Sequence, residues 1–223
     1  MVVVAVVKFP GTNADNDVTH VLNNVVNVKA ESIWYSEFRH SRYDAIILPG
    51  GFSYGDWLRA GAIAARSKAI NEVKAAAEEG KPVLGICNGF QTLVEAGLLP
   101  GALLPNDPPR FIAKWVKVQV IDSETPFTTH YEPGVVVSMP IAHGEGRFHV
   151  EDLSAINVVF KYSEVNPNGS LGNVAGVSNG SRNVVGLMPH PERAAEDSLV
   201  PRGFNAGGLR LWISLRESLR RGW

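Results

Sequence analysis

The chain has 223 residues, with 21 Lys and Arg against 22 Asp and Glu, a formal net charge of -1 at pH 7 and a hydrophobic fraction of 45%. That length suits a single α/β domain, 1–223, with a self-sufficient core, and a charged fraction of only 19% argues against intrinsic disorder. The balanced charge argues against a dedicated nucleic-acid binder and against tight binding to acidic membranes, and the lone Cys87 rules out an intrachain disulfide framework.

Val2–Val7 is a continuous β-branched run ending at Phe9-Pro10-Gly11, and it reads as a strand buried on both faces. It is too short and lacks the basic flank for a signal peptide, and no segment approaches the length of a membrane span, so a cytoplasmic protein is expected. The Asn-rich stretch Asp15–Asn24 is a weak helix candidate. Lys29–Tyr35 and Ala45–Leu48 read as the next strands. Ala60–Glu79 is the strongest helix candidate, with Gly80 suited to its C-terminal cap. Lys81–Gly85 is a fourth strand, running into Cys87, and Gly89–Ala96 is helical in composition. Beyond it, Trp115–Ile121, Val135–Ile141 and Val158–Tyr162 are strand candidates without intervening helices. Val174–Ser178 and Asn183–Met188 flank a turn and predict a hairpin, and Leu209–Leu219 predicts an amphipathic C-terminal helix. The alternation predicts an α/β fold: a doubly wound, mainly parallel sheet with added antiparallel strands.

The chemistry concentrates in Gly85-Ile86-Cys87-Asn88-Gly89-Phe90-Gln91, a G-x-C-x-G segment between a predicted strand and a predicted helix. That is the setting of a nucleophile elbow, whose turn places the thiol at a helix start, where the dipole and free N–H groups favour thiolate. The bland alternative is a buried apolar cysteine. A thiol nucleophile needs a base and a group to orient it. His190 and Glu192, in Met188-Pro189-His190-Pro191-Glu192, supply both if the prolines keep the segment extended, because residues two apart then face the same way. Pro49-Gly50-Gly51 also follows a strand, so the N–H groups of Gly51 and Asn88 are the candidate oxyanion donors. A phosphate loop is the rival reading for Gly50-Gly51, but no Gly-Lys-Ser/Thr follows. No metal site is expected, since His143 and His149 lack the company of a zinc set.

Taken in order, Pro49-Gly50-Gly51, Gly85–Gln91 and His190-Pro191-Glu192 resemble the class I (triad) glutamine amidotransferases, whose fold is flavodoxin-like. Phe9–Asn13, Gly51–Asp56, Ile141–Phe148, Asn166–Ser170 and Met188–Arg193 resemble one branch of that family, glutaminase subunits of a synthetase in purine biosynthesis. The resemblance spans essentially the whole chain, with two local departures: a short stretch between Tyr162 and Asn166 and the Asn-rich His20–Val28. It implies that Cys87 attacks the amide of L-glutamine, that Gly51 and Asn88 hold the oxyanion, and that His190, oriented by Glu192, serves the leaving ammonia and then water. It implies that Gln91 and the backbone around His143, Gly144 and Glu145 bind glutamine. It further implies no cofactor in this chain. ATP and Mg would belong to a large synthetase subunit, with a small third subunit bridging the two. The alternatives are a glutaminase subunit serving another synthetase, a cysteine hydrolase, or a catalytically silent docking module.

Overall fold

A computed structural model describes residues 2–223. In chain order the first half comprises β1 (Val3–Lys8), α1 (Asp15–His20), β2 (Lys29–Trp34), β3 (Ala45–Leu48), α2 (Lys68–Glu78), β4 (Val83–Ile86) and α3 (Asn88–Glu95). The second half comprises β5 (Ala102–Pro105), β6 (Ile112–Val120), β7 (Val136–His143), β8 (Glu145–His149), β9 (Asn157–Ser163), β10 (Val174–Ser178), β11 (Val184–Leu187) and α4 (Leu209–Arg221). Nine strands form one sheet in the order β2-β1-β3-β4-β11-β10-β9-β6-β7. Pairing is parallel from β2 through β11 and antiparallel from β11 through β7.

Register decides where the chemistry lands. Leu48 of β3 pairs with Gly85 of β4, and Leu187 of β11 pairs with Ile86. The Cys87 N–H then donates to the Leu187 carbonyl at 2.8 Å. Three adjacent parallel strands therefore release Gly50-Gly51, Cys87 and His190 at one edge, outside their carboxyl ends, where α/β sheets collect ligands. The antiparallel strands return β7 to the same edge, since the Ala142 carbonyl lies 3.6 Å from Cys87 Sγ.

β3, β4 and β11 are buried at every position, as their uninterrupted apolar runs require. The core includes Phe90, Phe148, Phe160 and Trp212. α4 buries Leu211, Trp212 and Leu215 and is tied to the β6–β7 connection: Ser218 Oγ donates to the Pro126 carbonyl at 3.1 Å, and the His130 N–H donates to Ser214 Oγ at 2.9 Å. Among the described residues, no helix is long and apolar enough to cross a membrane.

One local expectation needs correction, one is refined, and one feature was not foreseen. The long helix over Ala60–Glu79 is shorter: α2 begins only at Lys68, because Ser67 is extended (φ -73°, ψ 157°) and a 3₁₀ turn occupies Ala64–Arg66. The alanines permit helix, but the preceding segment follows the packing of Gly61 against the Gln91–Thr92 backbone instead. The stretch Asp15–Asn24 divides into α1 and one turn of π-helix, Val21–Val25. There Asn23 exchanges two hydrogen bonds with the backbone of Ala30 on β2, at 2.9 and 3.1 Å, so an asparagine takes the place of a neighbouring strand. The third is an omission, a separate antiparallel ribbon formed by β5 and β8.

Candidate active site

Cys87 sits between β4 and α3 with a positive φ (φ 50°, ψ -104°), a conformation that a non-glycine residue holds only when its surroundings enforce it. The enforcement is steric. A Cβ on Gly89 would run into the Leu48 carbonyl, and one on Gly85 would lie 2.7 Å from the Gly89 backbone, so the first turn of α3 packs directly on the ends of β3 and β4. This is the elbow that the G-x-C-x-G spacing predicts.

His190 and Glu192 are nearly completely buried, at 2% and 1% exposure. His190 is extended, but Pro191 opens a 3₁₀ turn over Pro191–Ala194, so the pair meets across a turn rather than along an extended stretch as the prolines suggest. The result is the same contact: His190 Nδ1 lies 2.6 Å from Glu192 Oε1. The His190 N–H is anchored on the Pro140 carbonyl at 2.8 Å. The ring lies against Gly50, where a Cβ would stand 2.7 Å from Cε1. Gly50 thus makes room for the imidazole.

Burial opposes a charge on His190, but the Glu192 carboxylate and the nearby Cys87 sulfur outweigh it and raise the imidazole from 6.5 to about 10. His190 Nε2 is buried without a hydrogen-bond partner among the described residues. The imidazole–carboxylate contact is therefore made, and the second ring nitrogen is left unpaired within reach of the sulfur's charge.

Gly51 has φ 152°, and a Cβ there would lie 2.7 Å from Thr12 Cα. Among the described residues neither the Gly51 N–H nor the Asn88 N–H is spent on another protein group. Asn88 opens α3, where such N–H groups are unpaired by geometry. Its side chain accepts from the Ser53 N–H at 3.0 Å and donates to Asp56 at 3.3 Å and to Gln91 Oε1 at 3.0 Å.

A cavity of about 130 Å³ opens over the sulfur, lined by Gly51, Phe52, Asp56, Cys87, Gln91, Phe111, Ala142, His143, Gly144 and Glu145. All four residues expected to contact glutamine thus line the space that Cys87 faces. Gln91 does so with its amide engaged, since Nε2 donates to the Glu145 carbonyl at 2.6 Å while Oε1 takes the Asn88 bond. It ties α3 to β8 and fixes the cavity wall. Sequence reasoning did not single out Phe52, Asp56, Phe111 or Ala142. Phe52 and Asp56 lie in the Gly51–Asp56 stretch and Ala142 in Ile141–Phe148, so all three stood in segments already marked; no pattern marks Phe111. Larger hollows lie elsewhere, one of about 420 Å³ behind Glu192 and Arg193, but none contains the sulfur.

An elbow cysteine at a cavity, a buried His–Glu pair whose imidazole feels the cysteine sulfur, and two unspent N–H groups form an arrangement suited to thiol-dependent acyl transfer. Residues 1–217 match the family model of the CobB/CobQ-like glutamine amidotransferase domain. The chain belongs to this family. Within it, the chain is 58% identical over 218 residues to the phosphoribosylformylglycinamidine synthase subunit PurQ of Pyrobaculum aerophilum, covering 98% of this chain and 99% of that one. It is 54% identical over 228 residues to the PurQ subunit of Pyrococcus furiosus, covering 99% and 100%. It also superposes on a chain of the PurLQS structure from Thermotoga maritima with a TM-score of 0.90 and 45% identity, covering 98% and 99%. A glutamine amidotransferase structure from Thermotoga maritima, at 16% identity and TM-score 0.57 and covering 99% and 84%, shares the fold.

Proposed function

We propose that this chain is the glutaminase subunit of a phosphoribosylformylglycinamidine synthase, cleaving glutamine at Cys87 and passing ammonia to a synthetase subunit. The observation that carries the reading is the buried His190, bound to Glu192 and raised toward its charged form beside the Cys87 sulfur. The named relatives supply the synthase.

The thiolate of Cys87 attacks the side-chain amide carbon. The Gly51 and Asn88 N–H groups receive the oxyanion, and protonated His190 gives its proton to the departing ammonia. A γ-glutamyl thioester remains on Cys87. His190, now neutral, takes a proton from water, which attacks the thioester and releases glutamate. Glu192 fixes the ring and balances its charge throughout. The ammonia then converts formylglycinamide ribonucleotide to its amidine on a larger subunit that uses ATP and Mg, with a small third subunit in the assembly.

A free-standing glutaminase wastes glutamine. The unpaired His190 Nε2 supports the view that docking of the synthetase subunit brings it onto the sulfur and raises activity. The test measures glutamine hydrolysis by the chain with and without that subunit, beside an ammonium-dependent control. Docking should increase hydrolysis and couple it to amidine formation. Failure to transfer ammonia to formylglycinamide ribonucleotide would assign the chain to another synthetase, and an inert Cys87 would make it a silent docking module.

A further inference from the structure

A second hollow, of about 790 Å³, lies between the segment that follows β2 and the start of α2, and it shares no lining residue with the cavity over Cys87. The chain as a whole is balanced in charge, but this hollow is not. Arg39, Arg66 and Lys68 line it, and Glu72 is the one carboxylate in the lining. Glu72 is already spent on His40: its Oε2 accepts from the His40 N–H at 3.0 Å and lies 2.6 Å from His40 Nδ1. Among the described residues none of the three cations belongs to an ion pair. Arg39 Nη1 donates to the Phe38 carbonyl at 2.7 Å and Arg66 Nη1 to the Ala62 carbonyl at 2.8 Å. One corner of each guanidinium is thus pinned, and its remaining N–H groups are left to other acceptors.

The start of α2 adds to this charge. Ser67 stands at the N-cap, where a serine oxygen usually accepts from the second or third helical N–H. Here it caps nothing, and its Oγ has no hydrogen-bond partner. The Ile70 N–H reaches the Ser67 carbonyl at 3.1 Å, but among the described residues the N–H groups of Lys68 and Ala69 have no acceptor. Both residues line the hollow, so the positive end of the helix opens beside three cationic side chains. The same lining holds two aromatic rings, Tyr35 and Tyr54. Tyr35 stacks on Phe9 at 5.5 Å between centroids, and Tyr54 meets Tyr35 edge-on at 6.2 Å. Burial, and then Tyr35, push the Tyr54 hydroxyl up to about 12, so it remains a donor at neutral pH.

We propose that this hollow binds a mononucleotide, with its phosphate at Arg39, Arg66, Lys68 and the free N–H groups of α2, and its base against Tyr35 and Tyr54. A phosphate monoester carries a charge of about -1.5 to -2 at pH 7 and three acceptor oxygens, which suits guanidinium forks and an uncapped helix start. A lone carboxylate would leave cations unmatched and the tyrosines bare. Tyrosine rings take any base by stacking, so the class of ligand is fixed more closely than the base. The site is independent of the reading given to the Cys87 cavity.

The test is calorimetric titration of the full chain at low salt with AMP, adenosine and inorganic phosphate. AMP should bind one per chain with a dissociation constant below about 1 mM, and adenosine and phosphate should each bind at least about tenfold more weakly. Arg66→Gln should weaken AMP about tenfold or more, and Lys68→Gln, which removes an exposed charge without an ion-pair partner, serves if Arg66→Gln does not fold by thermal unfolding. Tyr35→Leu should weaken AMP by at least about fivefold and leave phosphate unchanged. Alkylation of Cys87 with iodoacetamide should leave AMP binding intact. Absence of AMP binding, equal affinity for AMP and phosphate, or full affinity in the Arg66 and Lys68 variants would overturn the proposal. Loss of AMP binding on alkylation would place the ligand over Cys87 and overturn it as well.

Discussion

β3 and β4 are buried at every residue, whereas β6 and β7 alternate between buried and more exposed positions, and β7 forms one edge of the sheet. The first pair carries Gly51 and Cys87. The second supplies Ala142, His143 and the Pro140 carbonyl on which His190 is anchored. The thiol and the candidate oxyanion donors are thus set in close-packed backbone, while His190 depends on the edge strand β7 as well as on β11. Cys87 and His190 themselves follow adjacent strands, β4 and β11, and His190 Nε2 is buried without a partner. The difference teaches that the site draws on both halves of the sheet, its thiol set by the parallel strands and its imidazole held in part by the antiparallel edge.

The comparison breaks most decisively at the sulfur. Cys87→Ala should reduce glutamine-dependent amidine formation to background while the assembled complex still uses added ammonium, read in paired assays. Behind the imidazole, Glu192→Gln should lower kcat for glutamine by about 10²–10⁴-fold, the range for losing a competent acid–base group, with KM little changed. Gly51→Ala should cost about 10²–10³ in kcat, because the added Cβ pushes on Thr12 and displaces an oxyanion donor. If Gly51→Ala proved harmless, the close-packed half of the comparison would fall.

The pH response sharpens the same contrast. His190 has its folded-state value raised from 6.5 to about 10, so its protonated form stabilises the native state. That stabilisation is fully present below about 6.5 and is lost as pH rises through about 10. The urea midpoint of the wild type should therefore decline across that window more steeply than that of His190→Asn. Parallel curves would show that the imidazole does not bear its charge in the folded protein.

The parallel half was legible because a strand buried on both faces must be apolar throughout, and Val2–Val7 and Ala45–Leu48 are. Cys87 was legible through its glycines, which the observed clashes at Gly85 and Gly89 explain. The antiparallel half read less clearly. β5 and β8 are short, one closes on Pro105 and the other contains Gly146, so neither shows a strand pattern. Ala60–Ser67 misled because alanine-rich composition reports helix propensity and not the approach of Gly61 to α3. Phe111 carries no local signal, since it lies just ahead of β6 and reaches the cavity with Cys87 only through the tertiary fold.

The central claim is that the sulfur of Cys87 forms an acyl bond to the side-chain carbonyl carbon of glutamine, with His190 and Glu192 controlling its formation and release. Rapid quenching of the Glu192→Gln complex with glutamine, followed by mass spectrometry of the Cys87 peptide, tests it directly. A γ-glutamyl thioester on Cys87, absent when His190 is also replaced by Asn, is the expected result. Ammonia release with Cys87 unmodified throughout, or with the glutamyl group on another residue, would contradict the account.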